Sequence, residues 1–120
     1  RGLGDVYKRQ MEGEPVFNVI LHDDVPNELS DLPPVVRAKM IRLIDKLKTN
    51  ATALREPDSK PLRDGLFELR TMGTDIARGL YVYQKGRNIY LLRVFIKKTQ
   101  KTPSGEISIA FERLEEMLNE

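Results

Sequence analysis

Cysteine is absent from this 120-residue chain, which therefore holds neither a disulfide nor a thiolate metal site. Histidine occurs once, as His22, and its neighbours Asp23 and Asp24 bring no further ligand at metal-binding spacing. No apolar run approaches the ~18 residues that a membrane span needs, and no secretory signal is visible. The expected location is cytoplasmic. No glycine-rich phosphate loop opens a helix, and no serine or cysteine sits in a nucleophile elbow. Internal repeats and low-complexity segments are missing too. These absences remove thiol chemistry, P-loop nucleotide hydrolysis and serine-type acyl transfer, and leave no cofactor or metal to expect.

What remains is the composition of an ordinary globular domain, 40% hydrophobic and 32% charged with few aromatics. Residues 1–10 precede the first methionine, Met11, and carry neither helical nor strand periodicity. They read as a non-native extension, followed by a single domain over 11–120.

The net charge of +2 is unevenly spread. Residues 60–101 hold ten Lys/Arg against three Asp/Glu, whereas residues 102–120 hold one against five. Positive charge gathered in one region points to a site for polyanions rather than to diffuse binding. The stretch 95–106, F-I-K-K-T-Q-K-T-P-S-G-E, is its focus. An apolar strand ends there in Lys97, Lys98 and Lys101, with no acid between them. Thr102 and Pro103 then read as an N-cap hydroxyl and a first-turn proline. Two interpretations stay open, a solvated lysine turn and a phosphate site at a helix N-terminus.

Taken in order, residues 15–22 form a short β-branched and aromatic strand around Phe17, Val19, Ile20 and Leu21. Val25, Leu29 and Leu32 fit one or two helical turns. After Pro33 and Pro34 a longer helix follows, with Val36, Met40, Leu43, Ile44 and Leu47 on one stripe. Residues 50–59 read as a loop. Residues 66–70 alternate, placing Phe67 and Leu69 on one side and Leu66, Glu68 and Arg70 on the other. Two further strands, 76–84 and 89–96, flank a tight hairpin at 85–88. Gly79 within the first of them implies a bulge or a close backbone approach. A final helix over 103–118 carries Ile107, Ala110, Phe111 and Leu114 on one stripe. The expected fold is α+β, in the order β-α-α-β-β-β-α, with a small, largely antiparallel sheet covered on one face by helices.

The open face would then gather Arg70, Arg78, Lys97, Lys98 and Lys101. Such a cluster can cleave RNA without a metal. A base takes the 2′-hydroxyl proton, cations stabilise the phosphorane oxygens, and an acid protonates the 5′-oxygen. Glu68 is either that base or a structural ion-pair partner of Arg70 or Arg78. Tyr81 and Tyr83 either stack on bases or pack in the core. The candidate catalytic residues are thus Arg70, Arg78, Lys97, Lys98 and Glu68. The candidate RNA contacts are Lys60, Lys101, Arg93, Gln100 and Thr102. If Arg78 and Lys98 are exposed, truncating either to alanine should move stability by under ~0.5 kcal/mol.

The segment K-P-L-R-D-G-L-F-E-L-R over 60–70, the strand carrying Arg78 ahead of L-Y-V-Y, and L-L-R-V-F-I-K-K-T-Q-K-T-P over 91–103 together resemble one family. It is the HigB-like, phage-derived branch of the RelE/ParE toxin superfamily, and the likeness covers residues 16–118. The resemblance implies a RelE-like fold and the toxin of a type II toxin–antitoxin pair. It further implies a ribosome-dependent mRNA endoribonuclease, neutralised by a cognate antitoxin of helix-turn-helix type and acting on ribosome and mRNA, with no membrane partner. Arg78 matches the strand arginine of the RelE catalytic surface, and Lys98 the basic residue closing the last core strand. The RelE lysine pair falls here at Leu66 and Glu68, and the last helix lacks the RelE tyrosine. Lys97, Lys101 or Glu68 would then carry the proton transfers. A ParE-like gyrase inhibitor and an inactive homologue that only binds an antitoxin are the alternatives.

Overall fold

A computed structural model describes residues 17–50, 54, 58–73, 76–97 and 102–119. The expected extension over 1–10, the first residues of the expected opening strand, and Lys98, Gln100 and Lys101 lie outside these residues. Five strands and three helices are formed: β1 (Asn18–Leu21), α1 (Val25–Ser30), α2 (Pro34–Asn50), β2 (Ser59–Pro61), β3 (Leu66–Arg70), β4 (Ile76–Gln84), β5 (Asn88–Lys97) and α3 (Ser104–Leu118). The sheet order is β1-β5-β4-β3-β2, with β1 parallel to β5 and every other pair antiparallel. No helix among the described residues is long and apolar enough to cross a membrane.

The α+β class and element order follow the sequence expectation, with two differences. The first is β2, a strand not among the expected elements, of which only Ser59 falls in the loop expected over 50–59. Asp64 and Gly65 both have positive φ, 51° and 82°, and the Leu66 N–H donates to the Arg63 carbonyl at 2.9 Å. That is a two-residue hairpin turn of the kind an Asp-Gly pair favours, and it folds Lys60 back opposite Glu68.

The second difference is that helices cover both faces. Val25 of α1, Leu32 of the link between the two helices, and Met40 and Leu47 of α2 pack on Leu69, Tyr81, Leu91 and Val94. On the other face, Ala110 and Phe111 of α3 pack on Leu66, Leu80, Val82 and Leu92. The reason is written in β4 and β5, whose residues are apolar at nearly every position rather than at alternate ones. A strand buried on both sides needs two covers. Gly79 provides the close approach expected of it, since a Cβ there would lie 3.3 Å from Met40 Sδ on α2.

A register shift then decides where the charges go. Leu80 pairs with Arg93 but Tyr81 pairs with Leu91, so Leu92 is an extra residue on β5. A bulge of this kind sets two consecutive side chains, Leu92 and Arg93, on the same face. Beyond it the alternation is reversed. Phe95 and Lys97 thereby share the face of Arg78, Glu68 and Arg70 instead of pointing into the α2 side. α3 covers only part of that face, and the polar ends of β3, β4 and β5 extend past it.

Tyr81, 1% exposed, belongs to the α2-side core, in contact with the rings of Phe67 and Tyr83. Its phenol lies 2.8 Å from the Ser59 hydroxyl, and burial pushes its pKa up from 10.0 to about 12. The folded chain holds that proton while the unfolded chain releases it. The contribution of Tyr81 to stability should therefore be constant below pH 10 and fall as pH rises toward 12. In an alkaline absorbance titration, one of the four tyrosines is expected to ionise about two pH units late. Synchronous ionisation of all four would contradict this burial.

Candidate functional site

On the face left open beside α3, the β2–β3 hairpin, the ends of β3 and β5 and the first turns of α3 enclose a hollow of about 330 Å³. Lys60, Arg63, Arg70 and Lys97 supply its cations, Glu68 and Thr102 its other polar groups, and Pro61, Leu62 and Ile107 an apolar rim. Cross-strand register sets this arrangement. Lys60 is opposite Glu68, Arg70 opposite Arg78, and Lys97 opposite Ile76 on the neighbouring strand.

Glu68 is the centre of the cluster and is only 2% exposed. Its Oε2 lies 3.5 Å from Arg78 Nε and its Oε1 3.8 Å from Arg70 Nε. The Thr102 hydroxyl donates to Oε2. Arg78 is itself 4% exposed, and its Nη1 donates to the Ala77 carbonyl at 3.2 Å. The Nε groups of Arg70 and Arg78 are buried without a hydrogen-bond partner among the described residues. Both face the Glu68 carboxylate at ion-pair distance, so its charge rather than a directed bond compensates them. A single carboxylate cannot neutralise Lys60, Arg70, Arg78 and Lys97 together. It anchors the two arginines and leaves the surplus positive charge facing the hollow.

The electrostatics follow from that crowding. Burial holds the Arg78 guanidinium below its ordinary pKa, with Glu68 opposing the shift and Arg70 adding to it. Lys97 is likewise lowered from 10.5, first by burial and then by Arg78, while Glu68 pulls the other way. A lysine in this state can exchange a proton more readily than one in water.

The family described as phage-derived protein Gp49-like matches residues 27–115, most of the chain. The chain belongs to that family. The Gp49-like fold is also that of a chain in the crystal structure of the toxin–antitoxin complex RelBE2 from Mycobacterium tuberculosis. The two agree with a TM-score of 0.51 at 24% identity, over 68% of this chain and 99% of that one. No curated protein matches the chain in sequence.

In this Gp49-like chain the hollow collects Lys60, Glu68, Arg70, Lys97 and Thr102, with Arg78 buried against Glu68. Two expectations need correction. Thr102 does not cap the last helix. Pro103 occupies the N-cap position without a side-chain bond, and the Thr102 hydroxyl serves Glu68 instead. Arg93, expected to touch RNA, is bonded to acids. Its Nε donates to Glu106 at 2.6 Å and its Nη1 to Glu28 at 2.5 Å. The bulge at Leu92 delivers it to α1 and α3 rather than to the hollow.

Arg63, Leu62, Pro61 and Ile107 line the hollow and were not foreseen. The Asp64-Gly65 pair, a hairpin signal, would have placed the first three beside Glu68. His22 does not gather metal ligands. Its Nδ1 accepts the Asp24 N–H at 3.1 Å and its Nε2 donates to Glu116 at 2.6 Å. Among the described residues, no group of three or more His, Asp or Glu side chains is arranged to hold a metal ion.

Proposed function

We propose that this chain is the toxin of a type II toxin–antitoxin pair, of the HigB-like branch, and that it cuts mRNA on the ribosome by metal-independent attack of the 2′-hydroxyl. The observation that carries the proposal is the convergence of Lys60, Arg70, Arg78 and Lys97 around the single carboxylate of Glu68, beside a hollow. Membership of a phage-derived family and a fold shared with a chain of a toxin–antitoxin complex support it. The partners are then a cognate antitoxin with a helix-turn-helix domain, the ribosome and mRNA, in the cytoplasm.

In this mechanism Lys97, in its neutral form, takes the 2′-hydroxyl proton. The 2′-oxygen bonds to phosphorus, and the bond to the 5′-oxygen breaks. The 5′-oxygen leaves with a proton from a second lysine of the cluster, giving a 2′,3′-cyclic phosphate and a 5′-hydroxyl. Arg70 stabilises the charge on the phosphorane oxygens directly, and Arg78, buried behind Glu68, adds its positive field from within. Glu68 is too deeply buried for direct proton transfer to a substrate hydroxyl and positions both arginines. Lys98, Gln100 and Lys101 extend the contact along the RNA.

Expression of the chain from Met11 under tight control should arrest growth, with messages cut within codons. Intact messages and unimpaired translation would overturn the proposal. Inhibition of supercoiling by purified gyrase, with translation unaffected, would assign the chain to the ParE-like class instead. Growth without any deficit, together with antitoxin binding, would mark an inactive homologue.

A pH profile tests the role of Lys97. Glu68 raises the Lys97 pKa, so Glu68→Gln lowers it further. The ascending limb of cleavage against pH should then move to lower pH in that variant. An unmoved limb would remove Lys97 as the base.

A further inference from the structure

The hollow is lined by carbon as well as by cations. Pro61 and Leu62 on the hairpin arm and Ile107 in the first turns of α3 present apolar surface to it. Leu62 and Ile107 are partly buried, packed by one side on the α3-side core. A bare phosphate would engage Lys60, Arg70 and Lys97 and leave that rim in water. The volume of about 330 Å³ lies at the lower end of the ~300–1,000 Å³ range of small-molecule sites, enough for one nucleotide and not for two.

We infer that the hollow seats a whole nucleotide unit, with its phosphate on the arginine side and its nucleobase against Pro61, Leu62 and Ile107. The inference rests on the phosphate-binding role proposed above and adds a base seat to it. Among the described residues no aromatic side chain lines the hollow. Tyr81 and Tyr83 belong to the opposite face. The seat is therefore aliphatic, holding the flat face of a base by apolar contact rather than by ring stacking. Arg63, exposed on the hairpin, and the Thr102 hydroxyl are polar groups of the lining that can meet a base edge. The Asp64-Gly65 turn fixes the position of the hairpin arm, so the rim is preformed.

The test uses the full chain and four probes: inorganic phosphate, ribose 5-phosphate, uridine 5′-monophosphate and adenosine 5′-monophosphate. Calorimetry is expected to show both nucleotides binding roughly tenfold more tightly than ribose 5-phosphate, the scale of a small apolar contact in a pocket. Leu62→Ser and Ile107→Ser should remove that increment while leaving ribose 5-phosphate affinity unchanged. Arg70→Ala should weaken all four probes.

Methyl NMR of the unmodified protein gives an independent reading if a variant folds poorly. The Leu62 and Ile107 methyl signals should shift with nucleotide and stay still with phosphate. Equal affinity for nucleotides and ribose 5-phosphate, with unmoved methyls, overturns the base seat and leaves the phosphate site standing. Failure of all four probes to bind, or indifference to Arg70→Ala, overturns the phosphate site and the base seat with it.

Discussion

An Arg78→Met, Glu68→Gln double variant is expected to fold normally and to lose RNA cleavage by about 10²- to 10⁴-fold, the range associated with one charge-stabilising group. The pairing of substitutions matters. Arg78 is 4% and Glu68 2% exposed, and their nearest atoms are 3.5 Å apart. Arg78→Ala alone would leave a buried carboxylate short of a partner, at a cost of about 3–5 kcal/mol. The small stability change expected from the sequence assumed an exposed arginine and is corrected by this burial. Replacing both charges with neutral side chains of similar volume avoids the stranded charge, and such exchanges are often neutral. Thermal unfolding and single-turnover cleavage would be measured on the same preparation. A double variant that unfolds normally and cleaves within fivefold of the parent would dismiss Arg78 from the chemistry.

Away from the hollow, the largest stability effect lies in Glu28. Its carboxylate receives Arg93 Nη1 at 2.5 Å, Arg113 Nη1 at 2.7 Å and the Val94 N–H at 3.0 Å. One side chain from the six-residue helix α1 thus joins β5, at and just after its bulge, to α3. Glu28→Ala removes the acceptor common to two guanidinium groups and a backbone donor. Arg93 retains Glu106, and Arg113 retains the Leu92 carbonyl and a longer contact to Asp24. The side chains are 13–22% exposed, so water recovers part of the deficit. A destabilisation of about 3 kcal/mol is expected, at the low end for breaking a buried pair. Urea unfolding should show the midpoint falling with the slope unchanged. A loss under about 1 kcal/mol would reclassify the cluster as a surface network.

Much of this molecule is readable from its residues, and the failures have physical causes. The α2 stripe, the parity of Phe67 and Leu69 against Glu68 and Arg70, and the close approach at Gly79 all follow from spacing alone. The clustering of cations was legible because charge counts survive any error in register. The second helical cover was legible as well, in the apolar runs of β4 and β5, although the expected fold covers one face only. Arg93 could not have been assigned correctly. Strict alternation says nothing of an inserted residue, and Glu28 is 65 positions away. The burial of Arg78 was equally hidden, because it depends on Glu68 and Arg70 meeting it across strands. Arg63 and the apolar rim were missed for a simpler reason, an Asp-Gly turn left unread.

The extra residue at Leu92 behaves like a reading-frame change within one strand. Upstream of it the chain spells a hydrophobic interior, and downstream the same alternation spells a reaction surface. A strand that kept this leucine but ran without the bulge would have the same composition and length and yet turn Phe95 and Lys97 together onto the α2 side. Two tasks are thus written on a continuous ribbon and kept apart by a single phase mark, which makes this strand far less tolerant of insertions and deletions than of substitutions.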